Sequence, residues 1–118
     1  HAIVDSILGA LSLGDIGKYF PSNNKKWQNA NSNIFLDHTK HLLQQQQYQI
    51  INLDTTIVLQ SPQIHSFVDK MKNNISKILN LLPNKISIKA TTTDHLGFIG
   101  SEKGIMATST ILIEKNDK

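Results

Sequence analysis

The sequence contains no cysteine and no arginine, and it has few aromatic residues: four phenylalanines, two tyrosines and one tryptophan. The lack of cysteine excludes a disulfide framework and thiolate metal ligands, and it leaves the redox compartment open. The lack of arginine removes the bidentate guanidinium fork on which base-reading proteins lean, so a nucleic-acid partner is not expected. All twelve basic side chains are lysine, and Lys25 and Lys26 form the only adjacent pair. A net charge of +3 and a pI near 9.2 therefore describe a solvated surface. No apolar run approaches the ~20 residues needed to cross a bilayer, and no charged-then-apolar leader opens the chain, so no membrane partner is expected. With so few rings, isoleucine and leucine must fill most of the core.

What is present reads as one α+β domain over residues 1–118, and 39% hydrophobic residues suffice for a modest core. Residues 1–13 form the end of a helix, because Ile3, Val4, Ile7, Leu8 and Leu11 recur at helical spacing and Gly14 stops it. A helix over 32–46 starts on an Asn31 or Ser32 cap and turns Phe35, Leu36, Leu42 and Leu43 inward. Residues 48–60 form the clearest strand; both faces carry apolar residues, so it is central. A third helix over 66–81 carries Phe67, Met71, Ile75, Ile78 and Leu82 as a core stripe. Strands over 86–90 and 105–114 follow, with a solvated tail from 115 to 118.

Two stretches carry chemistry. The run Lys89-Ala90-Thr91-Thr92-Thr93-Asp94-His95-Leu96-Gly97-Phe98 leaves a strand end with three hydroxyls, a carboxylate and a glycine. Such a loop suits an oxygen-rich ligand, and Asp94 can hold a hard divalent cation against it. A polar turn after a strand is the plainer reading of the same residues. Gly14-Asp15-Ile16-Gly17 is a tight turn whose glycines let a ligand approach the backbone, although a helix cap followed by a turn explains it equally. His1 and Asp5 share one helical face. His38 and His41 stand three apart with no inward carboxylate nearby and read as surface histidines.

The run from Lys89 to Phe98 resembles the nucleotide-binding segment of the 2-C-methyl-D-erythritol 2,4-cyclodiphosphate synthase family, of the non-mevalonate isoprenoid pathway. Leu8-Gly9-Ala10 with Leu13 through Pro21 is similar to a second block of that family, in the same order. The resemblance implies a mixed four-stranded sheet packed on helices on one face. It also implies a homotrimer with its sheets toward the threefold axis and active sites between subunits. Relative to the family the chain is N-terminally incomplete, and the first strand is expected in the segment before His1. A bacterial cytoplasm, or a plastid-type organelle in a eukaryote, is the implied location.

By the same resemblance, Asp15 and Gly17, with Ile16 between them, hold the ribose of a cytidine nucleotide. Phe20, Pro21, Ser22, Asn23 and Asn24 close over the methylerythritol part of the substrate; the family commonly has carboxylates where Ser22 and Asn24 stand. Leu59, Gln60, Ser61, Pro62, Gln63, Ile64 and His65 surround the cytosine. Thr91, Thr92, Thr93 and Asp94, with Phe98 and Ser101, complete the substrate-binding set. Thr92 is the catalytic residue that steadies transition-state charge. His1 is one ligand of a zinc ion whose other two ligands, an Asp and a His, are expected upstream. Asp94, a Glu in the family, holds a Mg²⁺ or Mn²⁺ on the diphosphate. The implied reaction converts 4-diphosphocytidyl-2-C-methyl-D-erythritol 2-phosphate to the cyclic diphosphate plus CMP. The alternative is an inactive cytidine-nucleotide-binding trimer with an incomplete zinc site.

Overall fold

The computed structural model describes residues 1–117; Lys118, placed by the sequence in a solvated tail, lies outside them. Eight elements follow in order: α1 (Ala2–Ala10), α2 (Ile16–Tyr19), α3 (Ser32–Gln45), β1 (Tyr48–Val58), α4 (Val68–Leu79), β2 (Ile86–Thr91), α5 (Gly97–Gly100) and β3 (Met106–Lys115). Strand β1 is central, in the order β2-β1-β3, parallel to β2 and antiparallel to β3. The sheet is therefore mixed. It has three strands among the described residues, and the fourth strand of the expected sheet is not one of them.

The alternation of β1 decides which face is covered. Leu53 and Thr55 are buried, and their register partners Ile86 and Ile88 on β2 are buried with them. Val4, Ile7 and Leu8 of α1, Phe35, Leu36 and Leu43 of α3, and Leu79 of α4 close over that face. Helix α1 lies on β3, while α4 lies on β2. Asp54 and Thr56 of β1 point to the other face, where Ser87, Lys89, Thr108 and Thr110 stand opposite them in register. That face displays Leu112 and Met106, 57% and 47% exposed.

Several boundaries differ from the sequence reading. Helix α1 ends at Ala10, because the left-handed Ser12 (φ 59) turns the chain before Gly14 (φ +103) does. Helix α4 is preceded by a tighter 3₁₀ turn over His65–Phe67, which rotates Phe67 out of the stripe and leaves it 54% exposed. At its other end Asn80 adopts a left-handed conformation (φ 52), and beyond it Leu82 stands 66% exposed. The covered stripe is thus Met71, Ile75 and Ile78. Lys115 belongs to β3 and not to the tail, and the Asn116 N–H donates to the Gln47 carbonyl at 2.7 Å. Among the described residues no helix is long and apolar enough to cross a membrane.

Candidate active site

Strands β1 and β2 are parallel and end side by side, with Val58 opposite Thr91 and the Leu59 N–H donating to the Thr91 carbonyl at 3.0 Å. Beyond that point the chains diverge, and the crevice at the carboxyl ends of parallel strands is where such sheets bind ligands. A cavity of about 320 Å³ opens there. Leu59, Gln60, Pro62, Gln63, Ile64 and His65 line one side, and Ala90, Thr91 and Thr92 line the other. Two segments that the sequence singled out separately therefore share one wall and one floor.

Side chains fasten them together. Gln60 Oε1 accepts the His95 N–H at 2.9 Å, and Ser61 Oγ donates to Glu102 Oε1 at 2.7 Å. Glu102 is a residue the sequence reading missed. A lone carboxylate in a glycine-rich turn offers no periodic signal, and its left-handed backbone (φ 64) shows only in three dimensions.

The threonine loop is ordered by its own hydroxyls. Thr92 Oγ1 accepts the Asp94 N–H at 3.2 Å and lies 3.4 Å from Asp94 Oδ1, while Thr93 Oγ1 donates to the Leu96 carbonyl at 2.8 Å. Asp94, His95 and Gly97 all have positive φ (54, 66 and +68), which curls the loop back toward β2. Gly100 makes this curl possible: a Cβ there would lie 2.1 Å from the His95 carbonyl carbon. Ser101 Oγ is occupied within the loop, donating to the Gly97 carbonyl at 2.8 Å. Phe98 is 63% exposed and covers Gly104.

The Gly14–Gly17 turn lies elsewhere, against α1, and no residue from 15 to 24 lines the cavity. Asp15 caps α2, with Oδ1 accepting the Lys18 N–H at 3.0 Å. Phe20 is buried in an aromatic cluster, its centroid 4.8 Å from both Trp27 and Phe35. Ser22, Asn23 and Asn24 are exposed, and Asn24 Oδ1 accepts the Lys26 N–H at 2.9 Å. His38 is exposed at the edge of the same cluster, and the exposed His41 bonds to the Asp37 carbonyl at 2.8 Å.

The two residues expected to bind metal, His1 and Asp94, fit that role unequally. Among the described residues no three His, Cys, Asp or Glu side chains converge. His1 Nε2 lies 3.1 Å from Ser32 Oγ and its ring packs on Phe35 at 5.7 Å. A tetrahedral zinc centre with an open position needs three protein ligands, and these residues by themselves do not form one. Asp94 is exposed at the loop tip. A single carboxylate there fits a magnesium-type ion, which keeps water and binds through one or two carboxylates plus phosphate oxygens.

Comparison with known proteins adds the family context. The YgbB family model matches residues 1–114. The chain is 45% identical over 115 residues to the 2-C-methyl-D-erythritol 2,4-cyclodiphosphate synthase of Natranaerobius thermophilus, covering 98% of this chain and 73% of that protein. It is 47% identical over 113 residues to the synthase of the same name from Clostridioides difficile, covering 96% of this chain and 70% of that protein. Among solved structures, IspF of Plasmodium falciparum in complex with CDP superposes with a TM-score of 0.88 at 38% identity, covering 99% of this chain and 70% of that one.

Proposed function

This chain belongs to the YgbB family, and we propose that it acts as a 2-C-methyl-D-erythritol 2,4-cyclodiphosphate synthase, an intramolecular phosphoryl-transfer enzyme of the phosphorus-oxygen lyase class. The observation that carries this reading is the crevice in which residues 59–65 face Thr91 and Thr92. The matching fold of a relative solved with CDP supports it.

In the proposed reaction the 2-phosphate oxygen of 4-diphosphocytidyl-2-C-methyl-D-erythritol 2-phosphate attacks the β-phosphorus. The new P–O bond closes the ring, and the bond from the β-phosphorus to the oxygen shared with the α-phosphate breaks. That oxygen keeps the electron pair and leaves as part of CMP. The nucleophile is already anionic, so no general base is required. Catalysis then consists of folding the substrate into line and stabilising charge.

Each segment has a part in that task. Backbone groups of residues 59–65 read the cytosine edge, which needs no charged side chain. Thr92 donates to a phosphate oxygen that gains charge, and Asp94 would hold a Mg²⁺ or Mn²⁺ ion that neutralises the diphosphate when bound. Asp15 and Gly17 take the ribose hydroxyls. They lie apart from the cavity of their own chain, so in this reading they serve the crevice of a neighbouring copy. A homotrimer with the open sheet face at its centre brings them there. His1 offers one imidazole at the far end of that site, and no step here depends on zinc.

The test is one sample assayed twice. CDP binding is titrated by calorimetry, and cyclic diphosphate and CMP formation from the substrate are followed by phosphorus NMR. Binding with turnover supports the synthase. Binding without turnover supports the second reading, a cytidine-nucleotide-binding trimer. No binding removes both.

A further inference from the structure

Asp5 stands one helical turn after His1 on α1, and its side chain reaches out of that helix. Asp5 Oδ1 accepts the backbone N–H of Ile16 at 2.8 Å, across eleven positions of sequence. Ile16 opens α2, so this N–H is one of the donors that a helix start leaves without a backbone partner. The Lys18 N–H is taken by Asp15 Oδ1. Two carboxylates therefore hold one turn in different ways. Asp15 fastens the turn to itself, while Asp5 fastens it to α1.

The helix that carries Asp5 is well packed. Val4, Ile7 and Leu8, the neighbours of Asp5 on α1, are 2%, 0% and 0% exposed. Between α1 and α2 the backbone bonds of the connection, Ser12 to Gly9 and Leu13 to Leu8, end at position 13. Gly14 then takes a left-handed conformation (φ +103), and the Leu13 and Ile16 side chains on either side of the turn pack on the core. To that packing Asp5 adds a directional bond to the Ile16 backbone. No lysine or histidine pairs with its carboxylate among the described residues, so the Ile16 N–H is its structural partner.

We propose that Asp5 is a positioning residue for nucleotide binding. By holding Ile16 it fixes where the Asp15 carboxylate and the bare Gly17 backbone present themselves to the ribose. This rests on the reading that Asp15 and Gly17 take the ribose hydroxyls. A charge-assisted hydrogen bond on a core-anchored helix is strong enough to set such a direction.

The experiment compares CDP with 2′,3′-dideoxy-CDP by calorimetry on four intact proteins: parent, Asp15→Ala, Asp5→Ala and Asp5→Asn. The parent should prefer CDP by about tenfold or more, the worth of a hydrogen bond to a charged group. Asp15→Ala should abolish that preference. Asp5→Ala should abolish most of it while leaving dideoxy-CDP affinity within about twofold, and Asp5→Asn, which keeps an oxygen toward Ile16, should restore at least half. Loss of the preference in Asp15→Ala alone overturns the role of Asp5 and leaves the ribose reading intact. An unchanged preference in Asp15→Ala overturns the ribose reading and the proposal with it. Equal weakening of both ligands in Asp5→Ala, with a lowered melting temperature, shows a general folding role and also overturns the proposal.

Discussion

Ser61 Oγ and Glu102 Oε1 stand 2.7 Å apart, a hydrogen bond between residues separated by 41 positions of sequence. With Gln60 to His95 it forms a double tie across the mouth of the cavity. The loop over residues 59–65 and the threonine loop are therefore one unit within a single chain. Ser61→Ala should lower cytidine-nucleotide affinity about 3- to 10-fold, the net worth of one ordinary hydrogen bond at this exposed position, and shift stability by no more than ~0.5 kcal/mol. Calorimetric titration beside a thermal melt checks both, and unchanged affinity removes the tie from the binding site.

Gly100 and Gly9 should respond in opposite directions to alanine. At Gly100 the new Cβ meets the His95 backbone at 2.1 Å, and backbone cannot swing aside. Gly100→Ala should cost about 1–3 kcal/mol or more through overpacking. At Gly9, inside α1, nothing lies within 4 Å of the added carbon. Gly9→Ala should stabilise by about 0.5–1 kcal/mol through helix propensity. Urea denaturation midpoints of the two variants decide the matter.

Asp54 and Lys89 predict an acid dependence of stability. Lys89 Nζ lies 2.8 Å from Asp54 Oδ2, and this bond, opposed by some desolvation and helped by Ser87, holds the Asp54 carboxyl below the usual carboxylate range. A lowered folded-state value means that folding favours the ionised form. The contribution is therefore complete above the unfolded value of about 3.9 and is lost as pH falls through the lower folded value. Lys89→Gln should flatten the fall in denaturation midpoint between about pH 5 and pH 2. Identical acid profiles for parent and variant would exclude this pair as a contributor.

Asp94→Asn should weaken nucleotide diphosphate binding chiefly when Mg²⁺ or Mn²⁺ is present. The variant keeps the shape of the loop tip but loses the charge that a hard cation needs. Affinities measured across a Mg²⁺ titration should converge for parent and variant at zero metal and separate as metal rises. Parallel curves would take Asp94 out of the metal site.

The open face of the sheet should be buried between copies. Leu112 and Met106 stand exposed beside the Thr56, Thr108 and Thr110 rows, and Asp15 and Gly17 lie away from the cavity of their own chain. Light scattering at micromolar concentration should give the mass of a trimer. A Leu112→Asp variant should shift it toward monomer and lose nucleotide binding together with assembly, whereas a monomeric parent that still binds CDP would overturn the shared site.

The local pattern of the sequence determined much of this architecture by itself. Period-two alternation in residues 48–58 and helical spacing in residues 32–45 specify a central strand and a helix without reference to anything distant, because each pattern records which side chains face one apolar layer. The threonine loop and the Gly-Asp-Ile-Gly turn were legible for the same reason, since their chemistry is contiguous. Tertiary structure alone decided what those segments do to one another. That residues 59–65 meet Thr91 and Thr92 follows from parallel pairing of β1 with β2, a contact that no local pattern encodes. That Phe67 and Leu82 leave the core follows from a 3₁₀ turn and one left-handed asparagine, each a small backbone rotation that turns a regular stripe aside. The bonds from Asp5 to Ile16 and from Ser61 to Glu102 join residues with no shared period. A hydrogen bond needs two groups within about 3 Å and in line, and only the folded chain sets that distance.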